Sequence, residues 1–132
     1  GLYYATVVPG ALTLISLSTY NFDDHYTTDD KQYKWLEQEL AAVNRSNTPW
    51  VIVQKHISFY STSLKHGYEA ECMRQLYEPL YRKYGVDIVI SGHDHQYERS
   101  APVFDYKLDP DCGTVSEKRE SKKERNRGEK LT

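Results

Sequence analysis

Two short apolar runs in this 132-residue chain lead into histidine. Trp50–Val53 is followed by Gln54-Lys55-His56, and Val86–Ile90 by Ser91-Gly92-His93-Asp94-His95. Imidazole is a common metal ligand, because a hydrogen bond can lock one ring nitrogen while the other meets the ion. In an extended His-x-His, alternate side chains point the same way, so His93 and His95 could reach one ion or two adjacent ions. Gly92 ahead of them would let the backbone turn sharply as the strand ends. The chemistry implied is metal binding. The competing reading is three histidines hydrogen-bonded at a loop edge.

Other residue clusters point less far. Asp94 lies between two candidate ligands, and alternation would aim it away from the metal face into a structural or supporting role. His25 with Asp23 and Asp24 reads as a solvated loop rather than a metal cluster. Cys72 is expected to be a buried thiol rather than a nucleophile. Tyr3, Tyr4, Tyr60 and Tyr97 are expected to pack rather than to ligate. Two cysteines, Cys72 and Cys112, allow one bridge but no disulfide framework.

The elements that must position these histidines follow from hydrophobic pattern. The opening residues read as two strands broken by Pro9–Gly10, the second apolar enough for burial on both faces. A polar loop covers Tyr20 to Thr28. A helix follows, with Thr27 and Asp30 resembling a capping box and Leu36, Leu40 and Val43 at i, i+4, i+7. Asn44 to Pro49 ends it, and Trp50–Val53 is a central strand. Residues 56–68 read as loop. A second helix fits 69–84 with Met73, Leu76, Leu80 and Tyr84 on one face, and Pro79 predicts a kink or restart. Gly85 closes it before a buried strand at 86–90. The order β-β-α-β-α-β argues for an α/β layered sheet, and ligands of such sheets gather where strands finish.

Composition bounds the class. Hydrophobic residues make up 39% and charged residues 27%, enough for one globular domain. Mean hydropathy is -0.75, and no apolar run approaches the ~18 residues of a membrane span, so no membrane role is expected. No charged segment with an apolar stretch and cleavage site opens the chain, so no secretory leader is expected within it. Residues 117–132 carry seven Lys or Arg against four Glu, whereas 1–116 is net -5. With one hydrophobic residue, Leu131, that basic segment (116–132 as a unit) is expected to be a disordered tail. Its interleaved Glu and lack of aromatics make nucleic acid an unlikely partner.

The stretches Trp50-Val51-Ile52-Val53-x-x-His56 and Gly92-His93-x-His95-x-Tyr97-Glu98-Arg99-Ser100 strongly resemble two metal-ligand motifs of the purple acid phosphatases, members of the calcineurin-like metallophosphoesterase superfamily. Gln32–Leu36, Val43–Arg45 and Thr48–Trp50 are similar to the helix before the first motif, and Met73–Tyr84 to the helix before the second. The resemblance covers residues 1–115. It implies the C-terminal half of the catalytic domain: a partial layered metallophosphoesterase sandwich, incomplete at both ends. It implies a dinuclear metal centre, Fe(III) with Zn, Mn or Fe(II), acting on a phosphate monoester substrate. His56 and His93 would bind the divalent metal, His95 the iron, and His66 would orient substrate or protonate the leaving group. It also implies a secreted or vacuolar setting. The family's GDxG, GDxxY and GNH motifs occur nowhere in the chain. The expectation is therefore a fragment, truncated or aberrantly spliced, that is inactive alone. The alternative is a non-catalytic remnant that binds a single metal, or a protein partner through an exposed sheet. An unpaired edge strand would favour association, so an oligomer is possible.

Overall fold

The computed structural model describes residues 2–20 and 26–109. Four strands form one sheet in the order β1 (Tyr4–Val8), β2 (Leu12–Ser16), β3 (Trp50–Lys55) and β4 (Ile88–Ser91). A tight turn joins β1 to β2 antiparallel, whereas β2, β3 and β4 run parallel. Parallel neighbours need crossovers, and two helices supply them: α1 (Lys31–Ala42) and α2 (Glu71–Tyr84). The expected β-β-α-β-α-β order is thus present, and a hairpin, β5 (Val103–Phe104) with β6 (Lys107–Leu108), extends it. The chain divides into two compact units after Glu98, and the hairpin lies in the second. The basic segment at 116–132, the boundary at 115 and the Asp23-Asp24-His25 loop lie outside the described residues.

One face of the sheet carries the core. Ile15 of β2 and Val51 and Val53 of β3 alternate inward and meet Leu36 and Leu40 of α1 and Met73, Tyr77, Leu80 and Tyr81 of α2. Gln32, 1% exposed, joins three elements: its amide oxygen accepts from Ser18 N–H at 2.8 Å, while its amide nitrogen lies 2.9 Å from Ser18 O and 3.3 Å from Tyr77 Oη. Asp87 accepts from Val51 N–H at 2.8 Å and from Arg45 at 2.5 Å, which fixes the entry to β4 against the start of β3.

Several local expectations change. The cap of α1 is Asp30, whose carboxylate accepts from Gln32 N–H; Thr27, three residues earlier, lies before the helix. The second helix begins at Glu71 rather than residue 69, because 64–70 coil in consecutive turns. It runs through Pro79 unbroken. The lost hydrogen bond and ring clash cost about 3 kcal/mol, offset by burying Met73, Tyr77, Leu80 and Tyr81 on one stripe. Gly85 takes the left-handed cap at φ 67°. Cys72 is exposed, not buried, since it falls on the outer side of α2. Strand β4, expected to be buried, is also exposed: Ile88, Val89 and Ile90 are 44%, 42% and 52% accessible. β4 has a neighbour on one side only, and among the described residues no layer covers its outer face.

Candidate metal centre

The C-terminal ends of β3 and β4 bring the histidines together. His56 follows β3 directly, His93 lies two residues past β4, and His66 sits in the turns before α2. His93 is central. Its Nδ1 lies 3.0 Å from His56 Nε2, and its Nε2 lies 3.2 Å from His66 Nδ1. Glu69 completes the group, with Oε1 2.6 Å from His66 Nδ1 and Oε2 2.9 Å from His93 Nε2. One donor atom each from His66, Glu69 and His93 lies within 4.8 Å of the others. His95 stands apart: it is exposed, and among the described residues no hydrogen bond, ion pair or ring contact joins it to the other three.

The backbone explains the difference. Residues 93–96 bend rather than extend, so the alternation that would aim His93 and His95 together does not apply. The sharp turn falls on His93 itself, at φ 73°, and not on Gly92, which keeps an ordinary φ. A non-glycine residue in the left-handed region stores about 1–3 kcal/mol, and such strain clusters at functional sites. Gly92 contributes a donor instead, its N–H reaching His56 O at 3.0 Å. The glycine that space demands is Gly67, between His66 and Glu69, where an added Cβ would stand 3.0 Å from Ser63 O.

Side-chain bridges hold the two histidine-bearing loops against one another. Ser58 pairs with Ser91 at 2.9 Å, Ser61 donates to Asp94 at 2.9 Å, and Thr62 donates its N–H to Glu98 at 3.1 Å. Asp94 is thus a loop tie, as its supporting role requires. Partial desolvation pushes its carboxyl up, but hydrogen bonds from Ser61 and Ser63 and the nearby His66 and His93 hold it below the usual range. The hydrogen bond to His66 does the same for Glu69. From behind, Tyr60 donates to Glu78, which pairs with Arg74 at 2.6 Å on α2. Lys55 lies buried next to His56, donating to Ile57 O with its ammonium 3.7 Å from the Phe59 ring centre. Burial lowers its pKa to about 7. An open cleft of about 350 Å³ runs past the ends of β2, β3 and β4, with Gln54, His56 and Gly92 in its wall.

Sequence reasoning missed Glu69. It stood at the expected first position of the second helix, where a carboxylate is explained by the helix dipole. The available signal was its i+3 spacing from His66.

A profile of calcineurin-like phosphoesterases matches residues 3–97, which hold every residue of this cluster. The chain belongs to the calcineurin-like phosphoesterase family. Within that family it is similar to purple acid phosphatase 15 of Arabidopsis thaliana, 44% identical over 86% of this chain and 20% of the relative. It is 49% identical to the Fe(3+)-Zn(2+) purple acid phosphatase 12 of the same plant, over 68% of this chain and 19% of the relative. A solved purple acid phosphatase from yellow lupin seeds superposes with a TM-score of 0.71 at 28% identity, covering 80% of this chain and 19% of that one. The layered phosphoesterase fold is therefore confirmed, and the chain spans about a fifth of its relatives' length.

The donor chemistry can be tested against the family's two-metal centre. Three imidazoles and one carboxylate fit one divalent ion of intermediate softness. Two hard cations need more oxygen donors than the described residues bring to this cluster. The dinuclear centre does not fit this set by itself.

Proposed function

We propose that this chain is part of the catalytic domain of a metal-dependent acid phosphatase of the purple acid phosphatase type, which hydrolyses phosphate monoesters. The observation that carries the reading is the convergence of His56, His66 and His93 at two strand ends within the matched family segment. In this reading His56 and His93 serve the divalent metal and His95, exposed on the same loop, serves iron. The family's remaining ligand motifs do not occur in this chain, so the reading expects the chain alone to be inactive. The Fe(3+)-Zn(2+) name of one relative supports a mixed-metal pair. A secreted or vacuolar setting belongs to the same reading. Among the described residues no helix is long and apolar enough to cross a membrane.

What this chain's own residues do is hold a proton. Glu69 accepts from His66 Nδ1 and so fixes the ring. Nε2 is then free to donate to the leaving alkoxide, a step worth about 10²–10⁴ in rate. A ring that gives up a proton at Nε2 while Nδ1–H stays on Glu69 carries hydrogens on both nitrogens.

The test is aryl phosphate hydrolysis at pH 5 by the native polypeptide that carries residues 92–100, its mass measured in parallel. Turnover that falls at least a hundredfold in His66→Ala supports the assignment. No turnover in a polypeptide much larger than 15.4 kDa overturns it. Turnover by the 132-residue chain alone, abolished by His95→Ala, removes the claim that it is inactive.

A second reading rests on the exposed apolar face at Tyr4, Val8, Trp50, Ile88 and Ile90: a non-catalytic chain that engages a protein partner through its sheet.

A further inference from the structure

We propose that Asn44 is a modification site: its Nδ2 takes an N-linked oligosaccharide when the polypeptide passes through a eukaryotic secretory lumen. The proposal rests on the secretory setting of the reading above and not on its metal chemistry. The pattern that carries it is short. Of Asn21, Asn44, Asn47 and Asn126, only Asn44 is followed two residues later by a hydroxyl, in Asn44-Arg45-Ser46. That spacing is the acceptor pattern for N-linked sugar, which belongs on a surface loop. Asn47 has Pro49 in the hydroxyl position, so it is an internal comparison within the same turn.

The fold gives the pattern a fitting shape. Helix α1 ends at Ala42, and residues 45–47 turn before β3. Asn44 Oδ1 accepts from Ser46 N–H at 3.0 Å, an Asx-turn that folds the amide toward the residue bearing the hydroxyl. The backbone is pinned. Asn44 O accepts from the N–H groups of Asn47 and Thr48, both at 2.9 Å, and Gly10 N–H donates to Asn47 O at 2.7 Å. Arg45 is tied inward, donating to Pro49 O at 2.9 Å and also to Gly85 O and Asp87. Asn44 and Ser46 stay exposed. Among the described residues, neither Asn44 Nδ2 nor Ser46 Oγ has a hydrogen-bond partner.

The position also suits a bulky group. The turn leads into the start of β3, whereas His56 follows its end, a strand length of ~17–20 Å away. Sugar at Asn44 therefore leaves the strand ends and their histidines open. The transfer balances without an oxidant or reductant. Nδ2 bonds to C1 of the first sugar of a lipid-linked oligosaccharide pyrophosphate, which the secretory lumen supplies together with its transferase. The C1–O bond breaks, the lipid pyrophosphate leaves with the electron pair, and Nδ2 gives up one proton.

Mass spectrometry of the native polypeptide, treated with a peptide-N-glycosidase in heavy-oxygen water, tests the proposal. Release of a glycan turns its asparagine into aspartate bearing the heavy oxygen, and trypsin at Arg45 then puts Asn44 and Asn47 on separate peptides. Label at 44 and none at 47 are expected. On expression of the same polypeptide through a eukaryotic secretory pathway, Ser46→Ala should lose the label completely and Ser46→Thr should keep it. Ser46→Ala retains the backbone N–H that bonds Asn44, so it removes the hydroxyl and leaves the turn. Unmodified Asn44 in the native polypeptide, label at 47, or label surviving in Ser46→Ala overturns the proposal. Aryl phosphate hydrolysis is read on the same samples. A glycosylated but inactive polypeptide fails the phosphatase reading alone, and an active polypeptide with bare Asn44 fails this proposal alone.

Discussion

The two faces of the sheet are built from the same strands and similar residues, yet they meet different surroundings. On the helix side, Ile15, Val51 and Val53 of the central strands are at most 1% exposed, and only the outer strands open, at Val7 and Val89. On the other side, register places Tyr4, Thr6 and Val8 beside Leu12, Leu14, Trp50, Ile52, Ile88 and Ile90, and five of these are at least 44% exposed. Strands apolar on both faces are the mark of a sheet covered on both sides. The contrast shows that sequence pattern records the surroundings a strand is made for. The chain spans about a fifth of its relatives' length.

Stability separates the two faces. Tyr77→Ala, at a fully buried ring between the helices and the sheet, should cost roughly 3–5 kcal/mol in urea unfolding. A loss below 1 kcal/mol would mean that the helix side is not the core.

Lys55 sharpens the comparison because it is a charge on the covered face. Its folded pKa of about 7 lies below the unfolded 10.5. Between those values the unfolded chain holds a proton that the native chain has released, so stability rises with pH across pH 7–10.5. Below pH 7 the cost of the buried charge is fully present. It is of the order of 5 kcal/mol at 1.36 kcal/mol per unit. Lys55→Met should therefore stabilise at pH 6 and lose that advantage by pH 10. Parallel curves for the two proteins would sink the assignment.

Gly85→Ala, forced to φ 67°, should lose about 1–2 kcal/mol without altering either face. The smallest effect belongs to the bare face. Trp50→Thr should change unfolding free energy by no more than about 0.5 kcal/mol, while lowering binding of an apolar dye. A large destabilisation there would show that the face is covered in solution.

Legibility followed the range of the interactions. The first four strands and both helices announce themselves in local apolar periods such as Leu36 and Leu40, or in compact runs such as Trp50–Val53. The hairpin at 103–108 was hidden, because Asp105 and Tyr106 take its two positive-φ turn positions without an Asn-Gly signal. His56, His66 and His93 were legible as chemistry from residue type, position and family likeness. Their mutual distances were not, since those depend on two loops meeting. His93 shows why: nothing in Gly92-His93-Asp94 indicates which residue carries the left-handed turn, and that choice separates His93 from His95. Glu69 was masked by a helix start placed two residues early, and exposure on β4 depended on material outside the strand.

The serine, threonine and carboxylate ties between the loops at 58–62 and 91–98 bear on how the site breathes. Three bridges span them, at Ser58–Ser91, Ser61–Asp94 and Thr62–Glu98. Residues so joined open together, as one cooperative unit with a shared free energy of local unfolding. Amide hydrogens around His66 and His93 should then exchange with solvent at matched rates. A cation captured by one loop would slow exchange in both, and the protection would pass from strand end to strand end through hydroxyl groups that touch no metal.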